Sequence, residues 1–305
     1  MDEGLTMTEI FILAAQRSAI GSYGGSLKDT SPIDLAIPVA KDAIKKSGLP
    51  ADAIQHATYG HVIHTEPRDM YSPRCISIGA GLPEKSPAFQ VNRLCGSGLQ
   101  AIVSATQLIK LGDCNTALAG GVEVMSRGPY VLPAQRWGAR MGDSNVIDMM
   151  TGALHDPFGI GHMGITAENI AADYGISRED MDRFSAQSQA RAAHAREAGY
   201  FKNQITPLEL TTRRKTVTFD NDEFIRPETT TESLASLRAA FTKDGLVTAG
   251  NSSGINDGTA SLVLANSAAL ETHKVNPLAR IIAYGFGGVP PRIMGMGPVP
   301  ASEMA

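Results

Sequence analysis

A run of strand-forming residues, Ala88-Phe89-Gln90-Val91, passes through Asn92-Arg93-Leu94-Cys95-Gly96-Ser97-Gly98 into a stretch where Leu99, Ile102, Val103, Thr106 and Ile109 recur at helical spacing up to Lys110. A strand that breaks at a glycine turn and restarts as a helix imposes a β-turn-α unit and puts Cys95 at or just before a helix N-terminus. Unpaired N–H groups there favour the thiolate, and Gly96 and Gly98 leave room for a substrate. The logic is that of the strained turn that presents the nucleophilic serine of hydrolases. The plainer reading of any free cysteine is a small buried hydrophobe; the turn favours a nucleophile here.

The rest of the chain alternates in the same way. Glu9 to Ala14 reads as a buried strand, Ile33 to Lys46 as a helix closed by Gly48, Ala57 to Val62 as a strand and Arg74 to Ile78 as a short helix. Thr116 to Gly121 follows as a strand whose paired glycines permit close backbone approach. Such alternation predicts a mostly parallel sheet covered by helices. From about Val124 to Asn256 the texture changes, with Pro129, Pro133, Trp137, Gly138 and Gly142 marking an irregular insertion. Ser177 caps a helix that runs to about Ala198 and stops at Gly199, with Asp180 in the capping-box position. The polar stretch Thr211 to Thr231 reads as a surface excursion. Ala260 to Ala265 resumes the sheet, and Ala279 to Gly285 adds a strand.

A length of 305 residues suggests about two domains, and 43% apolar residues supply a substantial core. A formal charge of −4 gives no overall drive toward nucleic acid or an anionic membrane. Cys75, Cys95 and Cys114 are odd in number and form no C-x-x-C pair, which argues against a disulfide framework or a zinc site and for a reducing compartment. The start, Met1 to Met7, lacks an apolar signal core, and no stretch approaches the ~20 apolar residues of a membrane span. The expectation is a cytoplasmic protein.

Three stretches, Asn92-Arg93-Leu94-Cys95-Gly96-Ser97-Gly98, Gly161-His162-Met163-Gly164-Ile165-Thr166-Ala167-Glu168-Asn169 and Thr248-Ala249-Gly250-Asn251-Ser252-Ser253-Gly254-Ile255-Asn256-Asp257-Gly258, together resemble the thiolase family, in particular biosynthetic acetyl-CoA acetyltransferases and β-ketothiolases. The likeness runs from about Met7 to the last residue. It implies an α/β, layered αβαβα fold, with the first half in 1–124 and 256–276, an inserted loop domain in 125–255, and the start of a second half in 277–305. It also implies a reversible Claisen condensation in fatty acid metabolism, through an acyl-thioester on Cys95. His162 would donate a hydrogen bond to the thioester oxygen of acetyl-CoA as the enolate forms. Ser253, Ala249 and Gly250 would meet the pantetheine arm of CoA, Arg226 its nucleotide end, and Leu154, Met163, Phe241 and Met294 would line the pocket. The resemblance calls for acyl-CoA and CoA as substrates, for no separate cofactor or metal, and for a homo-oligomer, dimer or tetramer, partly through the loop Gly128 to Arg140. Arg213-Arg214-Lys215 reads as a solvated face.

The family's Asn-Glu-Ala-Phe, Gly-His-Pro and Cys-x-Gly-Gly-Gly motifs do not occur in these 305 residues. Gly60-His61 is followed by Val62, and Cys75 and Cys114 lack the glycine run. The expectation is a C-terminally truncated thiolase whose missing proton-moving groups, worth ~10²- to 10⁴-fold each, leave turnover by this chain very weak unless a companion chain supplies them. An exposed apolar face is expected beside it. The alternative is a fragment that only binds CoA or another subunit; a ketoacyl-synthase relative is disfavoured by the motifs.

Overall fold

The computed structural model describes residues 8–211 and 215–305, and these form two compact units. Of the described residues, the first comprises 8–127, 203–211, 215–223 and 256–282, and the second 128–202, 224–255 and 283–305. The N-terminal heptapeptide and Arg213-Arg214 lie outside the described residues.

The first unit is built on seven strands: β1 (Ile10–Arg17), β2 (Gly21–Ser22), β3 (His56–Gly60), β4 (Ala88–Val91), β5 (Thr116–Val124), β6 (Asn256–Asn266) and β7 (Ala279–Ile281). Their order is β7-β1-β6-β5-β3-β4, with β2 paired to β6. The predicted mostly parallel sheet is corrected here. Only β4-β3-β5 run parallel, whereas β6 is antiparallel to β1, β2 and β5, and β7 to β1. The crossover helices force the parallel part. The long excursion before Asn256 places no such limit on β6, which returns antiparallel along most of β5, from Asp257 opposite Val124 to Ala265 opposite Thr116.

Helix α1 (Pro32–Ser47) starts at Ser31, whose side chain caps the Asp34 N–H, and lays Leu35, Ala36, Val39, Ala40 and Ala43 on β1, β5 and β6. α2 (Ser72–Ala80) packs on α1. α3 (Ser97–Leu111) packs on β3, β5 and β6, where Ala105 and Ile109 join Ile10, Ala117, Ala119 and Leu264 in one core cluster. Alternation along β5 puts Ala117, Ala119 and Gly121 on that face. Leu99 and Leu111, near the two ends of α3, are 74% and 78% exposed. The stretch read as a surface excursion holds a strand, Thr216–Phe219, paired antiparallel with Leu208–Thr211. Its alternation is hidden by threonines on a half-exposed ribbon. The predicted strand at Ala279 ends at Ile281, short of Gly285.

In the second unit the main elements are α4 (Met163–Tyr174) and α5 (Arg178–Glu197). The Ser177 and Asp180 side chains each accept from the other's backbone N–H, so the capping box is complete with Asp in the Glu place. No described helix is long and apolar enough to cross a membrane.

Candidate active site

Cys95 lies past the C-terminal end of β4, where the ends of β3 and β5 also lie, the side on which parallel α/β sheets present their ligands. The thiol-bearing residue is exposed. The turn that carries it is tight: Gly96 N–H donates to Arg93 O at 3.0 Å, Ser97 N–H to Leu94 O at 2.9 Å, and Leu94 N–H to Asn92 Oδ1 at 3.0 Å. Leu94 sits at φ 44°, left-handed for a branched side chain and a cost of about 1 to 3 kcal/mol that the surrounding bonds must hold. The Cys95 N–H forms no backbone hydrogen bond among the described residues. Both the thiol and an adjacent unpaired donor are therefore presented together. Gly60 lets α3 approach so closely, since a Cβ there would lie 2.6 Å from the Ser97 carbonyl carbon.

Behind the turn, a polar network that sequence reading missed joins the ends of β3, β4 and β5. Glu123, on β5, accepts the N–H groups of Val62 and Ile63 at 3.0 and 2.8 Å. The fully buried His61 has its Nε2 3.1 Å from Ile63 O and 3.7 Å from the Glu123 carboxylate. Because a carbonyl only accepts, that Nε2 carries a proton. Gln90 on β4 donates to His61 O at 3.2 Å and accepts from Ser72 Oγ at 2.8 Å. Burial pushes His61 down to about 4 and lifts Glu123 to about 7. A glutamate two residues after paired glycines, with Gly60-His61 sixty residues earlier, was the available signal; only the sheet register shows that they meet.

The other predicted residues belong to the second unit. His162 caps α4, and its Nδ1 accepts the Gly164 N–H at 3.0 Å. The neutral ring must then carry its proton on Nε2, which is left as a donor. Burial, and second the neighbouring His155, lowers the His162 pKa, so the neutral form prevails near neutrality. The ring is held on two sides. Phe241 stacks on it with centroids 4.7 Å apart and planes 21° apart, and His155 meets it edge-on at 5.2 Å. Gly164 makes the stack possible, because a Cβ there would fall 2.2 Å from the Phe241 ring. The strand-like pairing of Leu154-His155-Asp156 with Gly161-His162-Met163, through Met163 N–H to Leu154 O and Asp156 N–H to Gly161 O, both 2.8 Å, fixes the approach to α4. Leu154, Met163, Phe241 and His162 are thereby brought together.

Ala249, Gly250 and Ser253 share one loop. Its anchor is Asn251, whose side chain accepts Thr248 N–H at 2.7 Å and donates to Asp182 Oδ1 on α5 at 3.0 Å. Glu168 on α4 receives Leu246 N–H and Val247 N–H, each at 2.9 Å, and so ties this loop to the His162 helix. Ala249 and Ser253 are exposed, while Gly250 is a close approach, its added Cβ meeting Leu234 and Leu237 at 2.5 Å. Arg226 is exposed, its guanidinium 5.3 Å from the Phe224 ring and its N–H bonded to Gln189. Met294, 43% exposed, lies in the turn Pro291–Met296 that packs on α4. No group of three or more His, Cys, Asp or Glu suited to a metal occurs among the described residues.

Residues 10–268 match the family model for the thiolase N-terminal domain. The chain belongs to the thiolase family. It is 50% identical over 298 residues to "Beta-ketothiolase BktB" of Cupriavidus necator, an alignment covering 97% of this chain and 76% of that protein. It is 44% identical to the acetyl-CoA acetyltransferase of Escherichia coli, covering 98% of this chain and 76% of that one. Among solved structures, human mitochondrial 3-ketoacyl-CoA thiolase in complex with CoA superposes with a TM-score of 0.94 at 39% identity, covering 98% of this chain and 75% of that chain. The ketoacyl-synthase alternative is thereby set aside.

Proposed function

We propose that the chain is an acyl-CoA acyltransferase of the acetyl-CoA acetyltransferase or β-ketothiolase type, with Cys95 as the acyl carrier. The observation that carries this is the exposed thiol in a strained strand-to-helix turn whose Cys95 N–H forms no backbone hydrogen bond among the described residues. The Cys95 thiolate attacks the thioester carbonyl of an acyl-CoA, a carbon–sulfur bond forms to the enzyme, and CoA leaves as its thiolate. The Cys95 N–H is one donor to the oxyanion. In condensation the α-carbon of acetyl-CoA loses a proton and attacks the acyl-enzyme carbonyl, which returns the Cys95 thiolate. The Nε2–H of His162 is assigned as the donor to the oxygen that becomes negative in that step. The base that takes the proton is not assigned to any of these 305 residues.

Ala249, Gly250 and Ser253 are assigned to the pantetheine arm, Arg226 to the nucleotide end, and Leu154, Met163, Phe241 and Met294 to the pocket wall. CoA enters as part of the substrate, and a homo-oligomer in a reducing, cytoplasmic setting fits the free thiol. The family match and the intact Cys95 turn favour an enzyme over a fragment that only binds CoA. The test is release of CoA thiol when the purified chain meets acetyl-CoA. About one CoA per chain is expected, with none from Cys95→Ser; equal release from both proteins contradicts the assignment.

A further inference from the structure

We infer that Ser97 is a positioning residue for the Cys95 oxyanion donor, acting through the backbone immediately before the nucleophile. The inference rests on Cys95 being the acyl carrier. Ser97 is 5% exposed, and its side chain does more than start α3. Its Oγ accepts the Arg93 N–H at 2.8 Å and donates to Leu94 O at 2.6 Å. The Ser97 N–H adds a second bond to the same carbonyl at 2.9 Å.

Leu94 C=O and Cys95 N–H belong to one planar trans peptide, so they point in opposite directions. Two donors from Ser97 that hold the carbonyl toward α3 therefore turn the Cys95 N–H away from it. That is the N–H with no backbone partner among the described residues. The peptide before Leu94 is held by Gly96 N–H on Arg93 O, and the one before that by the bond from Arg93 N–H to Ser97 Oγ. Three consecutive peptides are thus fixed, two of them by one hydroxyl. The restraint matters because Leu94 at φ 44° has a standing tendency to relax into ordinary backbone. Without the hydroxyl, the bonds from Arg93 N–H to Ser97 Oγ and from Ser97 Oγ to Leu94 O are lost, which frees the Leu94-Cys95 peptide to rotate and withdraw the donor. The thiol would remain exposed.

Acylation and alkylation separate the two effects, because attack on an ester builds an oxyanion and displacement on iodoacetamide does not. With p-nitrophenyl acetate as acyl donor, Ser97→Ala is expected to acylate Cys95 roughly 5- to 30-fold more slowly, the population change of one lost buried hydrogen bond. Its Cys95 alkylation by iodoacetamide stays at the wild-type rate, with the buried Cys114 still protected. Should alanine prevent folding, Ser97→Thr and Ser97→Val give the same comparison at matched shape, with fast acylation only in the hydroxyl-bearing variant. Unchanged acylation in Ser97→Ala, or acylation and alkylation falling together, overturns the inference. The ester needs no CoA site, so failure of the wild type with acetyl-CoA alone counts against the proposed function and not against Ser97.

Discussion

Replacing Glu123 with Gln should expose a pH dependence of stability that the wild-type protein conceals. Burial raises the Glu123 carboxyl from 4.5 to about 7, with the Ile63 and Val62 N–H groups pulling the other way. Burial lowers His61 from 6.5 to about 4, opposed chiefly by Asp69. A raised folded-state value contributes stability that is full below 4.5 and lost as pH rises through about 7. A lowered one contributes stability that is full above 6.5 and lost as pH falls through about 4. Each displacement corresponds to at most about 3 kcal/mol. The two act with opposite sign over nearly the same window and largely cancel. It does not matter which atom of the pair holds the shared proton, because the pair takes up its two protons over the same range folded and unfolded. Gln keeps an oxygen for only one of the Val62 and Ile63 N–H groups, which are bound by different oxygens of Glu123, a loss that does not vary with pH; it also removes one titration, leaving His61 uncompensated. Relative to wild type, Glu123→Gln should therefore lose up to about 3 kcal/mol on acidification from pH 7 to 4.5. Urea unfolding of both proteins at steps of pH reads this as a difference, in which contributions common to the two proteins cancel. A difference that is flat with pH, or that grows in favour of the variant on acidification, refutes the reasoning.

Gly164→Ala places a Cβ 2.2 Å from the Phe241 ring, so the stack on His162 must open; thermal unfolding should show a loss of about 1 to 3 kcal/mol. Asn251→Ala leaves the Thr248 N–H without its acceptor and frees the loop of Ala249 and Ser253 from Asp182. Isothermal titration should then show CoA binding weakened roughly tenfold, with Cys95 alkylation unchanged. Arg226→Ala, at an exposed cation, should weaken CoA by no more than about fivefold and lower the salt dependence of binding.

The elements that were legible in the sequence share a cause. α1 carries its own periodicity and caps, α3 its periodicity and α5 its capping box, and the Cys95 turn carries its own glycines, so each is specified within a dozen or so neighbouring residues. The roles of His162, Ala249, Gly250 and Ser253 come from family resemblance; the local pattern adds only the glycines that flank His162-Met163. What failed to show depends on partners far away in the chain. The direction of β6 follows from the pairing of Asp257 with Val124, and no local pattern encodes it. Glu123 meets Val62 and Ile63 across about sixty residues, and Phe241 meets His162 only because Gly164 has no side chain. The ribbon Leu208–Thr211 with Thr216–Phe219 was missed because threonine serves a half-exposed strand as well as it serves a loop.

Locating the acyl group after reaction with acetyl-CoA tests the central claim most directly. The purified chain, quenched with acid and digested, should show one added acetyl group on the peptide carrying Cys95 and none on those carrying Cys75 or Cys114. The adduct should be labile to hydroxylamine, as a thioester is, and absent from Cys95→Ser. An acetyl group on another residue, or an unmodified Cys95 peptide from a folded sample, would contradict the assignment of Cys95 as the acyl carrier.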